Sequence, residues 1–182
     1  MAEDRYDAET FMTIRETLPE RGQWSELAAG RPIHFQPPET IHTFVLHNLN
    51  AHIGRLVQLG TPVFQTGLTT RKSPDTVRFP AVSLFRQAGR FDLVDAELLD
   101  EPPDWVIEIA STADRLKTMP DRVAEYVAFG VKLIWIIDAT GKSVHTVGGT
   151  GDNVVTGDAV LSAAPVFDFR TTAAELLDEM PW

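Results

Sequence analysis

The sequence predicts an α/β fold built on a mixed sheet with a parallel centre, and three patterns carry that prediction. Two nearly continuous apolar runs, 105–109 and 133–137, look like strands covered on both faces, and a helical stretch over 121–129 lies between them. That is a βαβ unit, whose crossover makes its two strands parallel neighbours in one sheet. A long amphipathic helix over 39–59 and short strand pairs flanking the unit complete the pattern, and 182 residues suit a single domain spanning 1–182.

The elements follow in order. Phe11, Ile14 and Leu18 sit at helical spacing over 9–18, and Pro19 stops that helix. Residues 24–28 and 32–36 flank Gly30 as a hairpin, with Pro32 better suited to an edge strand. Ile41, Phe44, Val45, Leu49, Ile53, Leu56 and Val57 recur at spacings of three and four before Gly60 ends the long helix. Residues 63–70 and 77–85 read as two strands joined by the turn Ser73-Pro74-Asp75, and 86–104 as an irregular polar segment with a short helical turn. After the βαβ unit, whose helix stops at Gly130, 144–147 and 154–155 form a hairpin around Gly148, Gly149 and Gly151, and 172–179 a last short helix.

Composition excludes several functions. Sixteen Lys and Arg against twenty-six Asp and Glu leave a net charge of -10, which argues against a surface built to blanket nucleic acid. Without cysteine there is no disulfide framework, zinc ribbon, iron-sulfur cluster or thiol nucleophile, and a reducing cytoplasm is the expected location. No apolar run approaches the roughly 18 residues of a membrane span, and the acidic N-terminus does not read as a signal peptide. The stretch 61–100 alone escapes the acidic excess. Its Arg71, Lys72, Arg78, Arg86 and Arg90 are the cations that would meet a phosphate backbone, if any do, against the simpler reading of solvated surface charge.

Most motifs dissolve on inspection. Gly141-Lys142-Ser143 lacks the earlier glycine of a phosphate-binding loop, since Ile136 stands there, and reads as a hairpin turn. Gly149-Thr150-Gly151 lacks the third glycine of a dinucleotide fingerprint, and no Gly-x-Ser-x-Gly elbow is present. His42, His47 and His52 are spaced by five, about 140° apart on a helix, so they do not converge on zinc. Glu108 is different. It interrupts a strand that should be apolar on both faces, sharing one face with Val106 and Ala110, and a buried carboxylate needs a cation, a metal or a proton. It is read either as a strand-end carboxylate reaching solvent or an arginine, or as a functional group near the carboxyl end of a parallel strand, where ligands collect.

Several segments in this order carry a resemblance. They are Ser25-Glu26-Leu27-Ala28-Ala29-Gly30, Pro37-Pro38 with His42, Ser73-Pro74-Asp75-Thr76-Val77-Arg78, Trp105-Val106-Ile107-Glu108-Ile109-Ala110-Ser111 and Asp114-Arg115-Leu116. Arg122-Val123-Ala124-Glu125-Tyr126, Gly130-Val131 and Leu133-Ile134-Trp135-Ile136-Ile137-Asp138 complete the series. Over roughly 8–179 the chain resembles the Uma-type restriction endonuclease family of the PD-(D/E)XK nuclease superfamily. The resemblance implies a restriction-endonuclease-like fold and phosphodiester hydrolysis assisted by Mg²⁺, with carboxylates as ligands and a lysine helping to activate water. It places metal ligands at Glu26 and Glu108. The family aspartate falls on Ala81 and the family lysine on Arg122. Alanine cannot ligate and arginine does not give up its proton, so cleavage is expected to be weakened or lost.

Pro74-Asp75 mimics the missing dipeptide but falls in a turn, so Asp75 reads as a decoy. A non-catalytic DNA- or protein-binding scaffold, such as a homodimer, is the alternative from another class, and an active nuclease recruiting Asp75 or Asp104 is a third. Any DNA binding is expected to be weak, and Glu108 and Arg122 are expected to face each other across the βαβ unit.

Overall fold

A computed structural model describes residues 5–38 and 40–178. Helix α1 (Ala8–Arg15), capped by the Asp7 carboxylate on the Thr10 amide, leads through a short 3-10 turn into the hairpin β1 (Ser25–Ala28) and β2 (Arg31–His34). Then come α2 (Thr40–Ala51) and α3 (Ile53–Leu59), followed by β3 (Thr61–Phe64), β4 (Gly67–Arg71), β5 (Thr76–Arg78) and β6 (Val82–Phe85). A short α4 (Phe91–Val94) and β7 (Leu98–Leu99) precede β8 (Trp105–Ala110), α5 (Ala113–Phe129) and β9 (Leu133–Asp138). The chain ends with β10 (Ser143–Gly148), β11 (Asn153–Thr156), β12 (Val160–Ser162), β13 (Arg170–Thr172) and α6 (Ala173–Leu177). Among the described residues no helix is long and apolar enough to cross a membrane.

One sheet runs β11-β10-β9-β8-β6-β3 and a second runs β2-β1-β5-β4-β7, with β12 and β13 paired separately. The expected βαβ unit is present: β8 and β9 are parallel, in register from Trp105 opposite Leu133 to Ala110 opposite Asp138. Strand alternation sorts their side chains. Trp105, Ile107, Ile109, Trp135 and Ile137 pack under α2 and α6, while Val106, Ala110, Ile134 and Ile136 pack under Met119 and Tyr126 of α5. Leu68 of β4 joins this second cluster, so α5 is held between the two sheets. A third cluster, Phe11, Leu27, Val77 and Phe79, fastens α1 to the smaller sheet.

Four expectations need correction. The strand expected over 63–70 is two strands in different sheets: the chain turns at Gln65, whose φ is 50°, and crosses from the larger sheet to the smaller. The strand expected over 77–85 crosses back at Phe79-Pro80-Ala81, where Pro80 has no amide to donate to a ladder. The helix expected over 39–59 divides at His52, whose amide donates to Leu49 three residues back, a tightened turn that sets the His52 ring edge-on to Phe169 at 5.7 Å. The expected start at Glu39 lies outside the described residues, as do residues 1–4 and the Glu179 end of the last helix. Finally, α5 begins eight residues before the expected 121, passing through the exposed Pro120, and it ends where Gly130 takes φ 111°.

The indole N–H groups of Trp105 and Trp135 have no partner among the described residues, and the rings meet edge to face at 4.6 Å between centroids. Their contribution is therefore packing. Trp105→Ala is expected to cost about 3 to 5 kcal/mol in urea denaturation, and Trp105→Phe less than about half of that, because the lost N–H was satisfied by nothing.

Candidate functional site

The buried stripe of α5 is Arg115, Met119, Arg122 and Tyr126, at spacings of three and four, so two guanidiniums stand where an amphipathic helix usually sets leucines. They face two buried carboxylates, Glu26 of β1 and Glu108 of β8, each 1% exposed. Arg122, itself fully buried, donates through Nη1 to Glu108 Oε1 at 2.7 Å and through Nη2 to Glu26 Oε2. One guanidinium thus bridges the two sheets, and its Nε reaches Thr118 Oγ1 at 3.3 Å.

Two more arginines complete the cluster. Arg78 of β5 donates to Glu26 Oε2 at 3.1 Å and forks onto Glu125 at 2.7 and 2.9 Å. Arg115 reaches Glu26 Oε1 at 3.3 Å, the Phe79 carbonyl at 3.4 Å and Glu108 Oε2 at 3.6 Å. The Phe79 amide donates to Glu26 Oε1 at 3.4 Å and Tyr126 Oη to Glu108 Oε1 at 2.5 Å. Three arginines meet three glutamates, so the cluster is neutral as a unit. Burial by itself would raise the Glu26 carboxyl, but the guanidiniums of Arg122, Arg115 and Arg78 outweigh it and hold that group at about 2. Burial and the Glu108 carboxylate push the Tyr126 phenol well above its usual range, so it stays a donor.

The residues singled out in the sequence come together. Glu26, Ala81 and Glu108 border one cavity of about 170 Å³, and Arg122 ties its two carboxylates together from α5. The expected Glu108–Arg122 pair is present. Arg115, Glu125 and Tyr126 are given no role by the sequence reading, and Arg78 only that of a phosphate-facing cation, although all four stand in the quoted motifs; an arginine recurring on the apolar stripe of a helix was the available signal. Asp75 lies elsewhere, accepting from the Ala8 amide at 2.9 Å and the Ser73 amide at 3.0 Å. Asp104 lies just before β8, about 13 Å of extended chain from Glu108, and holds Lys132 and the Arg86 amide.

The cation stretch also needs correction. Arg78 is 5% exposed and belongs to the cluster, Lys72 pairs with Asp100 at 3.0 Å, and Arg90 pairs with Asp92 and Glu101. Carboxylates of 92–101 meet Lys72 and Arg90, while Arg71 and Arg86 stay exposed and donate to Thr76 Oγ1 at 3.3 Å and to the Val166 carbonyl at 2.8 Å.

A mixed sheet built on a βαβ unit, a second sheet across its helix and one buried carboxylate from each sheet describe a protein of the restriction-endonuclease-like fold. A crystal structure described as a putative nuclease of the DUF820 group, from Anabaena variabilis ATCC 29413, superposes with a TM-score of 0.71 at 19% identity, covering 88% of this chain and 93% of that one. A family model, Uma2, described as "Putative restriction endonuclease", matches residues 9–172. The chain belongs to the Uma2 family. No curated protein matches it significantly in sequence.

Removing Arg122 strips both carboxylates of their shared partner, so Arg122→Ala is expected to cost about 3 to 5 kcal/mol and Glu108→Gln less, measured by chemical denaturation at pH 7. Acid should act in two stages. His42, buried at 2.9 Å from Ser111 Oγ, is held neutral by burial and by Arg115 down to about 4 from an ordinary 6.5. The unfolded chain takes up that proton first, so stability should fall from pH 6.5 to about 4. A second fall should run from the ordinary carboxylate range toward about 2, as Glu26 is protonated in the folded state. A pH titration of thermal unfolding on wild type and His42→Phe checks this, the first stage shrinking in the variant to what the half-buried His52 contributes.

Proposed function

We propose that this protein is a nuclease-fold protein in which metal-dependent phosphodiester cleavage is lost or much weakened. The single observation that carries the reading is Arg122 bridging Glu26 and Glu108. In a PD-(D/E)XK site those carboxylates would converge on Mg²⁺. Here each is engaged by guanidiniums, the cluster is already neutral, and Ala81 brings no oxygen to the same cavity. Among the described residues no group of three or more His, Cys, Asp or Glu could hold a metal ion. The donor set does not fit a small, strongly hydrated dication that needs several oxygen ligands, and no hydrolytic step is drawn through one.

Arginine also fails as a substitute for the family lysine. Between two carboxylates Arg122 is held well above its usual range once their attraction outweighs burial, so it relays no proton. A protein of this kind acts by binding. With a net charge of -10 and Arg78 withdrawn into the buried cluster, any affinity for duplex DNA is weak and falls steeply with salt.

Calorimetry with Mg²⁺ and Mn²⁺ is expected to show no saturable binding to wild type, and supercoiled plasmid to stay unnicked. Ala81→Asp combined with Arg122→Lys adds a carboxylate and loosens the bridge between the other two, and should restore metal binding before any activity. Nicking by wild type that Glu108→Ala abolishes would overturn the reading.

A further inference from the structure

The larger sheet ends on one side without a device that stops another strand from adding to it. An edge strand offers a row of unpaired amides and carbonyls, and proteins blunt such edges with proline, charge or short length. The smaller sheet does so at both ends, since β2 carries Arg31 and Pro32 and β7 is only two residues long. At one end of the larger sheet β3 carries Pro62. The other end, β11, differs. It pairs with β10 alone among the described residues, and its Asn153-Val154-Val155-Thr156 holds neither proline nor charge.

The face beside this edge is bare as well. Val155 lies opposite Val144 and packs against the cluster under α2 and α6, whereas Val154 lies opposite His145 on the α5 side and is 63% exposed. Helix α5 covers β8 and β9 and stops short of β10 and β11. Its flank, Leu116, Pro120 and Val123, faces Ile136, His145 and Val147 across an apolar cleft of about 440 Å³. An apolar sheet face left open at an unguarded edge marks a contact surface. The other exposed apolar patch, Phe91 and Val94 of α4, borders β3, where Pro62 guards the edge.

We propose that β11 is the contact between two copies of this chain, pairing antiparallel with its own copy about a two-fold axis at Val154, so that two six-stranded sheets run on as one. Charge and symmetry select this occupant and this register. A two-fold axis that continues a sheet keeps each face on its own side, so an antiparallel self-pair sets one residue opposite its own copy. Centred on Val155, the pairing would set Asp152 opposite Asp158 of the second copy, twice over, and like charges directly opposite destabilise a ladder. Centred on Val154, it sets Asp152 opposite Thr156 and Asp158 opposite Thr150, and the two exposed valines meet on the α5 side. Asp152 is also occupied within its own hairpin, accepting from the Gly148 amide at 3.1 Å. The valine left exposed in one copy is thus answered by the same valine in the next, and the two apolar clefts share one floor. A pairing of four residues a side suits a weak dimer that forms as concentration rises.

The test is sedimentation equilibrium of the full chain from micromolar to hundreds of micromolar, with Val154→Lys and Phe91→Lys beside wild type. Both positions are exposed, so the variants keep the fold. Wild type should dimerise, Val154→Lys should weaken the dimer at least about fivefold because two ammonium groups would meet at the axis, and Phe91→Lys should leave it unchanged. Single cysteines read the register, since the chain has none of its own. Under mild oxidation Val154→Cys should cross-link two copies at least about tenfold faster than Phe91→Cys, which reports chance collision, or Val155→Cys, whose copy lies out of a disulfide's reach. A monomer at every concentration, a dimer that survives Val154→Lys or is lost in Phe91→Lys, or cross-linking through either control cysteine as fast as through Val154→Cys overturns the proposal.

Discussion

A buried carboxylate must be neutralised, and in this protein two of them sit in the interior within reach of one guanidinium. Glu26 belongs to the smaller sheet, Glu108 to the larger, and Arg122 to the helix between them. The relative position of the two sheets is therefore written into an electrostatic requirement as well as into apolar packing. Removing charges from water is costly, and that cost is recovered only where geometry and hydrogen bonds are nearly complete. Here Arg78, Arg115, Tyr126 and the Phe79 amide supply the rest.

The crossing segments serve the same cluster. Between β5 and β6 the chain leaves one sheet for the other, and the backbone exposed there is met by side chains of the cluster: Glu26 accepts from the Phe79 amide and Arg115 donates to the Phe79 carbonyl. That crossover carries Ala81 to the cavity rim and Phe79 under Arg15. One short segment thus shapes the floor of the cavity and supports the arginine above it.

Arginine suits this position as a bridge between two sheets. Its fork spans two carboxylates as a lysine ammonium would not, and its charge persists at any working pH. On the proposed reading, the features that make it a good structural bridge make it a poor proton relay. A metal centre would then compete with the ion-pair cluster for the same two glutamates.

Much was legible in the chain. The alternating faces of 105–110 and 133–138, the parallel pairing, the isolation of Glu108 on the α5 side and its pairing with Arg122 follow from period-two patterning and from the cost of an unpaired buried charge. Family resemblance placed Glu26 and Ala81 beside them, and the three border one cavity. What the sequence could not determine was which sheet each short strand joins, because 63–70 and 77–85 carry the same β-prone residues whether the chain runs straight or crosses over. Nor could it reveal the first half of α5, whose buried face is arginine where periodicity looks for leucine. The partners of Arg78, Arg115 and Glu125 lie tens of residues away, and an ion pair at that separation leaves no local pattern. Local periodicity decides which face of an element is buried; only the tertiary fold decides which distant charges share that interior.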